Sequence, residues 1–177
     1  MVVISAFPGM GKTYYYENCQ QIHSSYDSDS SKFDKSSFPQ NYIEHIKQKL
    51  QDNDRDIIFV SSHKAVRDAL KENRIRYVVV YPTIGIKNTI INRYRNRGSS
   101  ESFVKLLEDN YDNWIKELMN ETDAICIKKS KDLGDRLSVE IDDGNLYIKS
   151  IVNDIVEGGK YASNKFISYG FQSKEMQ

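Results

Sequence analysis

The chain contains 177 residues, a length that corresponds to one domain built around a single core. Lysine and arginine together number 25, as do aspartate and glutamate, so no net positive field attracts nucleic acid or a membrane surface. Two cysteines are too few for a disulfide framework or a metal cluster. Since there is no signal segment and no apolar run of the ~18 residues that a membrane span needs, we expect a cytoplasmic protein that binds anions locally.

Strands and helices alternate along the first 137 residues. Short apolar segments predict buried strands at residues 2–5, 24–29, 56–60, 76–81 and 124–127. Helical periodicity and capping residues predict helices at residues 12–22, 39–50, 65–71, 87–97, 99–118 and 132–137. This alternation predicts an α/β three-layer sandwich, in which helices cover both faces of a five-stranded parallel sheet.

Two further predictions concern the second half of the chain. In the long helix, an apolar stripe at three- and four-residue steps is predicted to pack against the core. Residues 139–150 contain the turn sequence DDGN and predict a small β-hairpin. We therefore divide the chain into a domain at 1–137, with a lid around 87–120, and a C-terminal extension at 138–177 that consists of the hairpin and a polar tail. The apolar stripe comprises Phe103, Leu106, Leu107, Trp114 and Leu118.

The segment AFPGMGKT at residues 6–13 lies directly between the first strand and the first helix. It matches the phosphate-binding pattern of a glycine, four residues, Gly-Lys and then Ser or Thr, except that Ala6 replaces the first glycine. Glycines let backbone N–H groups turn toward phosphates, Lys12 can reach the outer phosphates, and Thr13 can ligate magnesium. We therefore predict a site for ATP and Mg²⁺. It is formed by Pro8, Gly9, Met10, Gly11, Lys12 and Thr13.

Two carboxylates follow the second predicted strand. Asp27 and Asp29 fall at the sheet edge that carries the phosphate-binding loop, because the carboxyl ends of parallel strands share one edge. One of them is predicted to orient or deprotonate an acceptor hydroxyl, and Asp29 is a candidate to share the magnesium ion with Thr13. The alternative is that both solvate a turn and cap a short helix at Ser30 or Ser31.

Further candidate residues follow the third and fourth predicted strands. Arg93 and Arg97 are four residues apart, so that both guanidinium groups lie on one face of the helix at 87–97. Such a pair can close over a polyphosphate and stabilise the charge of the transferred group, and a solvated surface is the alternative. Ser62 and His63 are candidates to contact the acceptor, and helix capping is the alternative for His63.

These residues resemble the small P-loop nucleoside and nucleotide kinases, the adenylate-kinase-like and shikimate-kinase-like group. The loop at 7–13 looks like the adenylate kinase loop, and Arg93 with Arg97 is similar to the lid arginines of that family. The segment YDSD at 26–29 resembles the shikimate kinase segment whose second aspartate, here Asp29, engages the acceptor hydroxyl. The resemblance covers residues 1–137 and implies the P-loop NTP hydrolase fold with the strand order 2-3-1-4-5.

The resemblance implies an ATP-dependent phosphotransferase that acts on a nucleotide or nucleoside-like acceptor. The layout also resembles short bacteriophage proteins labelled deoxynucleoside monophosphate kinases, which implies a deoxynucleotide acceptor and a location in the host cytoplasm. One open alternative is a kinase for a hydroxyl of a modified base in DNA or of another small molecule. The other is an NTP-binding regulatory module that hydrolyses slowly or not at all. We expect a monomer or a homodimer with no membrane partner.

Overall fold

The computed structural model describes residues 1–120, 125–126, 139–141, 148–150, 152–153 and 155–156. Within these residues, no helix combines the length and the apolar composition that crossing a membrane requires. The strands are β1 (Val2–Ala6), β2 (Ser25–Asp27), β3 (Ile57–Ser61), β4 (Val78–Pro82), β5 (Ile125–Cys126) and β6 (Val139–Ile141). The helices are α1 (Lys12–Asn18), α2 (Gln40–Asp52), α3 (Lys64–Glu72), α4 (Lys87–Asn96) and α5 (Glu101–Met119).

One parallel sheet forms the centre of the molecule. Its strands follow the order β2-β3-β1-β4-β5, and β6 also pairs with β4. Every residue of β1, β3 and β4 except Val2 and Ser61 is buried, so side chains on both faces of these strands are covered. This explains their nearly continuous apolar sequences, which are typical of strands in parallel sheets. The predicted α/β class with a parallel sheet is confirmed.

The sheet edge beyond β4 differs from the prediction. β5 pairs with Val78 and Val79, and β6 pairs in parallel with the remainder of β4, from Val80 to Pro82. Residues 139–141 therefore form a sixth strand of the main sheet, because β5 leaves the backbone groups at the end of β4 open for pairing. The predicted hairpin is wrong in its second arm, since Ile148–Ser150 is a turn of 3₁₀ helix. The predicted turn at 142–147 and the predicted helix at 132–137 lie outside the described residues.

α5 buries only part of the predicted stripe. Leu107 and Leu118 lie in the core as predicted and Trp114 packs against it, but Phe103 and Leu106 are 36% and 51% exposed. The rotation of the helix follows the contacts of Tyr111, whose hydroxyl donates to the carbonyl of Thr83 at 2.8 Å and whose ring meets Phe7 edge to face. The prediction is wrong for Phe103 and Leu106 because two overlapping apolar stripes run along this helix, and periodicity alone does not choose between them. The buried face consists of Val104, Leu107, Tyr111, Ile115 and Leu118.

Residues from the C-terminal extension complete the core. Ile148, Val152, Ile155 and Val156 are each at most 2% exposed and belong to the same apolar cluster as the central strands. The backbone N–H of Ile148 donates to the carbonyl of Met10 at 2.9 Å. This part of the extension is therefore packed against the back of the loop that joins β1 to α1.

Candidate functional site

The loop between β1 and α1 has the backbone that a phosphate-binding loop needs. Gly9 and Gly11 have φ values of +82° and +88°, a left-handed region that side chains other than glycine rarely adopt. Ala6 is the last residue of β1, where it pairs with Ser61 and Val80 in extended conformation. Its methyl group meets no backbone strain there, which explains why the first glycine of the sequence pattern can be replaced.

Lys12 is half-buried at the end of the loop. Its Nζ donates to the carbonyl of Ala6 at 2.6 Å. Burial lowers the pKa of Lys12 to about 8, although the charges of Asp27 and Asp29 act in the opposite direction, and Arg97 adds to the lowering. At neutral pH the ammonium group is still charged, but the cost of its burial exceeds the stabilisation that Asp27 and Asp29 provide. An anion bound beside it would supply that charge.

The two carboxylates after β2 have separate partners. Asp27 Oδ2 accepts a hydrogen bond from the Thr13 hydroxyl at 2.8 Å, and this contact joins the loop to the end of β2. Asp29 Oδ1 accepts from the backbone N–H of Ser31 at 2.9 Å and thereby caps a 3₁₀ turn at Ser30–Lys32. Burial alone would raise the pKa of Asp29, but the hydrogen bonds from Ser31 outweigh it and hold that pKa below its usual value. Both carboxylates nevertheless line the same cleft as the loop.

A second carboxylate is a candidate for the magnesium site beside Asp29, whose role as a ligand stays a prediction. The Thr13 hydroxyl donates to Asp27, whereas Asp29 accepts from the amide of Ser31. A hydroxyl and a carboxylate are oxygen ligands of the kind that Mg²⁺ prefers, so Thr13 and Asp27 fit this ion. The expected capping of a short helix by Asp29 is also observed, so this residue combines a structural contact with a position in the cleft.

α4 lies directly against the phosphate-binding loop. Arg93 Nη1 donates to the carbonyl of Gly9 at 3.1 Å, and Arg97 stacks over the ring of Tyr94 with its guanidinium carbon 3.7 Å from the ring centre. A Cβ atom on Gly9 would come within 3.1 Å of that same ring. Arg93 and Arg97 therefore lie on the cleft side of α4, as their spacing predicts, and close packing on the loop requires Gly9.

Another part of the cleft lining comes from the ends of β2 and β3. Tyr42, on α2, is fully buried; its hydroxyl donates to the carbonyl of Ser28 at 2.5 Å and accepts from the N–H of Ser61 at 3.1 Å. The Ser28 hydroxyl lies 3.0 Å from Nε2 of His45. One buried phenol thus fixes the separation of the two strand ends, and the wall that they form presents hydroxyl and carboxylate groups.

The remaining predicted site residues divide into two groups. His63 lines the cleft; partial desolvation, together with the charges of Lys35 and Lys12, lowers its pKa, so that its imidazole is neutral at pH 7. It is also the N-cap residue of α3, but its side chain makes no capping hydrogen bond. Ser62 and Met10 are buried and do not line the cleft; the carbonyl of Ser62 accepts from Arg67.

The cleft has a volume of about 600 Å³ and brings ten predicted residues together. Sequence patterns did not identify Ser28, Ser61 and Tyr94 as further lining residues. Ser28 and Ser61 lie at or beside strand ends, on the edge of the sheet where ligands usually bind. That position in the sequence could have identified them as lining residues. Tyr94 lies on α4 between the two arginines and gave no signal of its own. The predicted residues in the cleft are Pro8, Gly9, Gly11, Lys12, Thr13, Asp27, Asp29, His63, Arg93 and Arg97.

No protein-family model and no curated protein matches the chain. Two solved structures are similar in three dimensions. One is an uncharacterized protein from Eubacterium ventriosum ATCC 27560, with a TM-score of 0.42 and 12% identity over 90% of this chain and 97% of that chain. The other is a deoxyadenosine kinase from M. mycoides with bound dCTP, with a TM-score of 0.43 and 15% identity over 91% of this chain and 100% of that chain. Likenesses of this size assign neither an activity nor a substrate to the present chain.

Proposed function

We propose that this protein is an ATP-dependent phosphotransferase that transfers the γ-phosphoryl group to a nucleotide or nucleoside-like acceptor. The observation that carries the proposal is that cations and carboxylates line one cleft. Lys12, Arg93 and Arg97 line it together with Asp27 and Asp29. Cations around the transferred group and carboxylates beside the acceptor are the arrangement that phosphoryl transfer to a hydroxyl requires.

The residues of the loop and of α4 would bind and orient the triphosphate. Lys12 and the loop amides would hold the outer phosphates, and Arg93 and Arg97 would stabilise the charge on the transferred group. Thr13 and Asp27 would hold a magnesium ion, which neutralises phosphate charge when it is bound. The reaction forms a bond between the acceptor oxygen and the γ-phosphorus and breaks the bond to the leaving ADP oxygen, while the acceptor proton passes to Asp29.

The lining at the ends of β2 and β3 favours a hydroxyl acceptor over a phosphate acceptor. Asp27 and Asp29 supply carboxylates there, and Ser28 and Ser61 add groups that form hydrogen bonds with a hydroxyl. An incoming monophosphate would meet two carboxylates, while the cations among the described lining residues, Lys12, Arg93 and Arg97, are those that we assign to the triphosphate. Because like charges at short range are repelled, we propose a sugar hydroxyl as the site of transfer.

A transfer assay with labelled ATP tests the proposal. Wild-type protein is incubated with matched pairs of a deoxynucleoside and its monophosphate, and with DNA that contains hydroxymethylated bases. We expect label on the hydroxyl of uncharged acceptors, and loss of nearly all transfer in Lys12→Ala with the fold intact. Asp29→Asn should reduce transfer to a hydroxyl by roughly 100-fold or more, as expected for loss of a positioned acceptor or base.

Asp34→Asn is the matched control, because Asp34 has a similar turn contact, to Ser36, but does not line the cleft. If label appears on the phosphate of the monophosphate and Asp29→Asn transfers it at the wild-type rate, the proposal of a hydroxyl acceptor is refuted. Binding of ATP without label on any acceptor would instead favour a regulatory NTP-binding module. Unchanged transfer in Lys12→Ala would refute the site itself.

A further inference from the structure

We propose that the C-terminal extension positions the phosphate-binding loop and so determines how tightly this protein binds a triphosphate. The part concerned is the described portion of residues 148–156, which we term the strut. It packs against the loop from the side opposite the cleft, and its Ile148 supplies the hydrogen bond that orients the loop. The inference rests on the proposed triphosphate site and adds to it a positioning element more than 130 residues away in sequence.

The orientation follows from the geometry of one peptide group. The N–H of Ile148 donates to the carbonyl of Met10 at 2.9 Å, so this carbonyl oxygen points toward the strut. The peptide bond between Met10 and Gly11 is trans, and in a planar trans peptide the C=O and the following N–H point in opposite directions. The N–H of Gly11 therefore points away from the strut, toward the cleft that Gly11 lines.

The N–H groups on the cleft side of the loop are available to a ligand. Among the residues that the structure describes, the N–H groups of Gly11, Lys12 and Thr13 donate to no backbone carbonyl. Their orientation matters because a carbonyl oxygen turned into the same space would repel a phosphate oxygen. Holding the Met10 carbonyl on the far side therefore prevents the peptide flip that would replace a donor with an acceptor in the cleft.

The strut is firmly attached to the domain. Ile148, Val152, Ile155 and Val156 are each at most 2% exposed, so the segment is part of the core and not a loose tail. The Oδ1 atom of Asn153 lies 3.0 Å from Nε2 of His23, which adds a polar contact to the chain that follows α1. A buried anchor of this kind fixes the position of the Ile148 N–H relative to the loop.

Proline at position 148 removes the N–H that forms the orienting hydrogen bond and leaves a smaller apolar side chain at this buried position. We expect Ile148→Pro to weaken binding of a non-hydrolysable ATP analogue roughly fivefold to tenfold, the loss that one hydrogen bond accounts for. Ile148→Val keeps the N–H and should bind within about twofold of wild type. Val66→Ala opens a cavity in α3, outside the strut and the cleft, and should lower the urea midpoint of unfolding with little change in affinity.

Amide hydrogen exchange on the wild-type protein provides a second test that does not depend on the stability of Ile148→Pro. Linkage is reciprocal, so the ATP analogue should slow exchange of the Ile148 amide more than that of the Val2 amide, which bonds Asp56 outside the cleft. Equal affinity in Ile148→Pro and Ile148→Val, or unchanged Ile148 exchange, would overturn the inference. If wild-type protein does not bind the analogue, the proposed function fails. The strut can still be tested without nucleotide by comparing the Gly11 amide chemical shift in Ile148→Pro and Ile148→Val. An identical shift in the two variants would refute the positioning role of the strut.

Discussion

Binding of a triphosphate should make Lys12 take up a proton. In the nucleotide-free protein its pKa is lowered to about 8, chiefly by burial. With that pKa, roughly three quarters of the Lys12 side chains are uncharged at pH 8.5 and about a tenth are uncharged at pH 7. Phosphate oxygens beside Nζ supply the missing countercharge and raise the pKa back above 10, so almost every bound complex contains a charged Lys12. We therefore expect uptake of about 0.7 proton per nucleotide at pH 8.5 and about 0.1 at pH 7.

The sign of the pH dependence follows from the same values. The complex binds more protons than the free protein between pH 8 and 10, so affinity must fall as pH rises through this range. The dissociation constant should be roughly tenfold larger at pH 9 than at pH 7. Isothermal titration calorimetry at pH 8.5 in two buffers with different ionisation enthalpies gives the proton count directly. Chelator is present, so that titration of metal-bound water does not contribute.

Two variants isolate the contribution of Lys12. Lys12→Met has no titratable group at this position. It should bind the nucleotide more weakly and without proton uptake. Lys12→Arg has a side chain that stays charged at all relevant pH values, so it should also show none. Proton uptake below about 0.2 in wild type at pH 8.5, or equal uptake in wild type and Lys12→Met, would show that the ligand does not bind beside this lysine.

Three further substitutions test the structural argument. Ala6→Gly restores the usual motif but should not tighten ATP binding, and it should lower the free energy of unfolding by about 0.5–1 kcal/mol in urea, since Ala6 is extended within β1. Gly9→Ala should weaken ATP binding and destabilise the fold by about 1–3 kcal/mol, because φ is +82° and the new methyl group approaches Tyr94. Tyr42→Phe leaves the N–H of Ser61 without its partner and should cost about 1–3 kcal/mol by the same measurement, with a raised KM for the acceptor. Tighter ATP binding in Ala6→Gly, or wild-type stability in Gly9→Ala or Tyr42→Phe, would contradict these assignments.

Local patterns were sufficient to predict a parallel sheet and the position of the loop after its first strand. The buried strands have continuous apolar sequences, and the segment 6–13 carries its glycines and lysine at fixed spacing, so neither depends on distant contacts. The exposed and buried faces of α5 were not predictable, because the contacts of Tyr111 with Phe7 and Thr83 select between two apolar stripes. The pairing of β6 with β4 was also not predictable from the sequence, since it depends on where β5 ends.

The same division holds within the site. The spacing of Arg93 and Arg97 predicts a shared face, which the structure places on the cleft. Which of Asp27 and Asp29 contacts Thr13 could not be predicted from sequence, since both stand at the end of one short strand. The hydrogen bond from Thr13 to Asp27 joins residues that are 14 positions apart.

The glycines of the phosphate-binding motif allow the loop backbone to adopt its conformation. Residues outside the motif determine much of the direction in which the loop peptide groups point. Three of its carbonyl groups are held by different parts of the chain: that of Ala6 by Lys12, that of Gly9 by Arg93 and that of Met10 by Ile148. Each contact engages an oxygen that would otherwise be free to turn toward an anion. Because two of these partners come from α4 and from the C-terminal extension, movement of either element changes the direction of the loop dipoles. We therefore expect the proposed triphosphate affinity to be a property of the folded domain, and we expect a peptide that carries the motif alone to lack it.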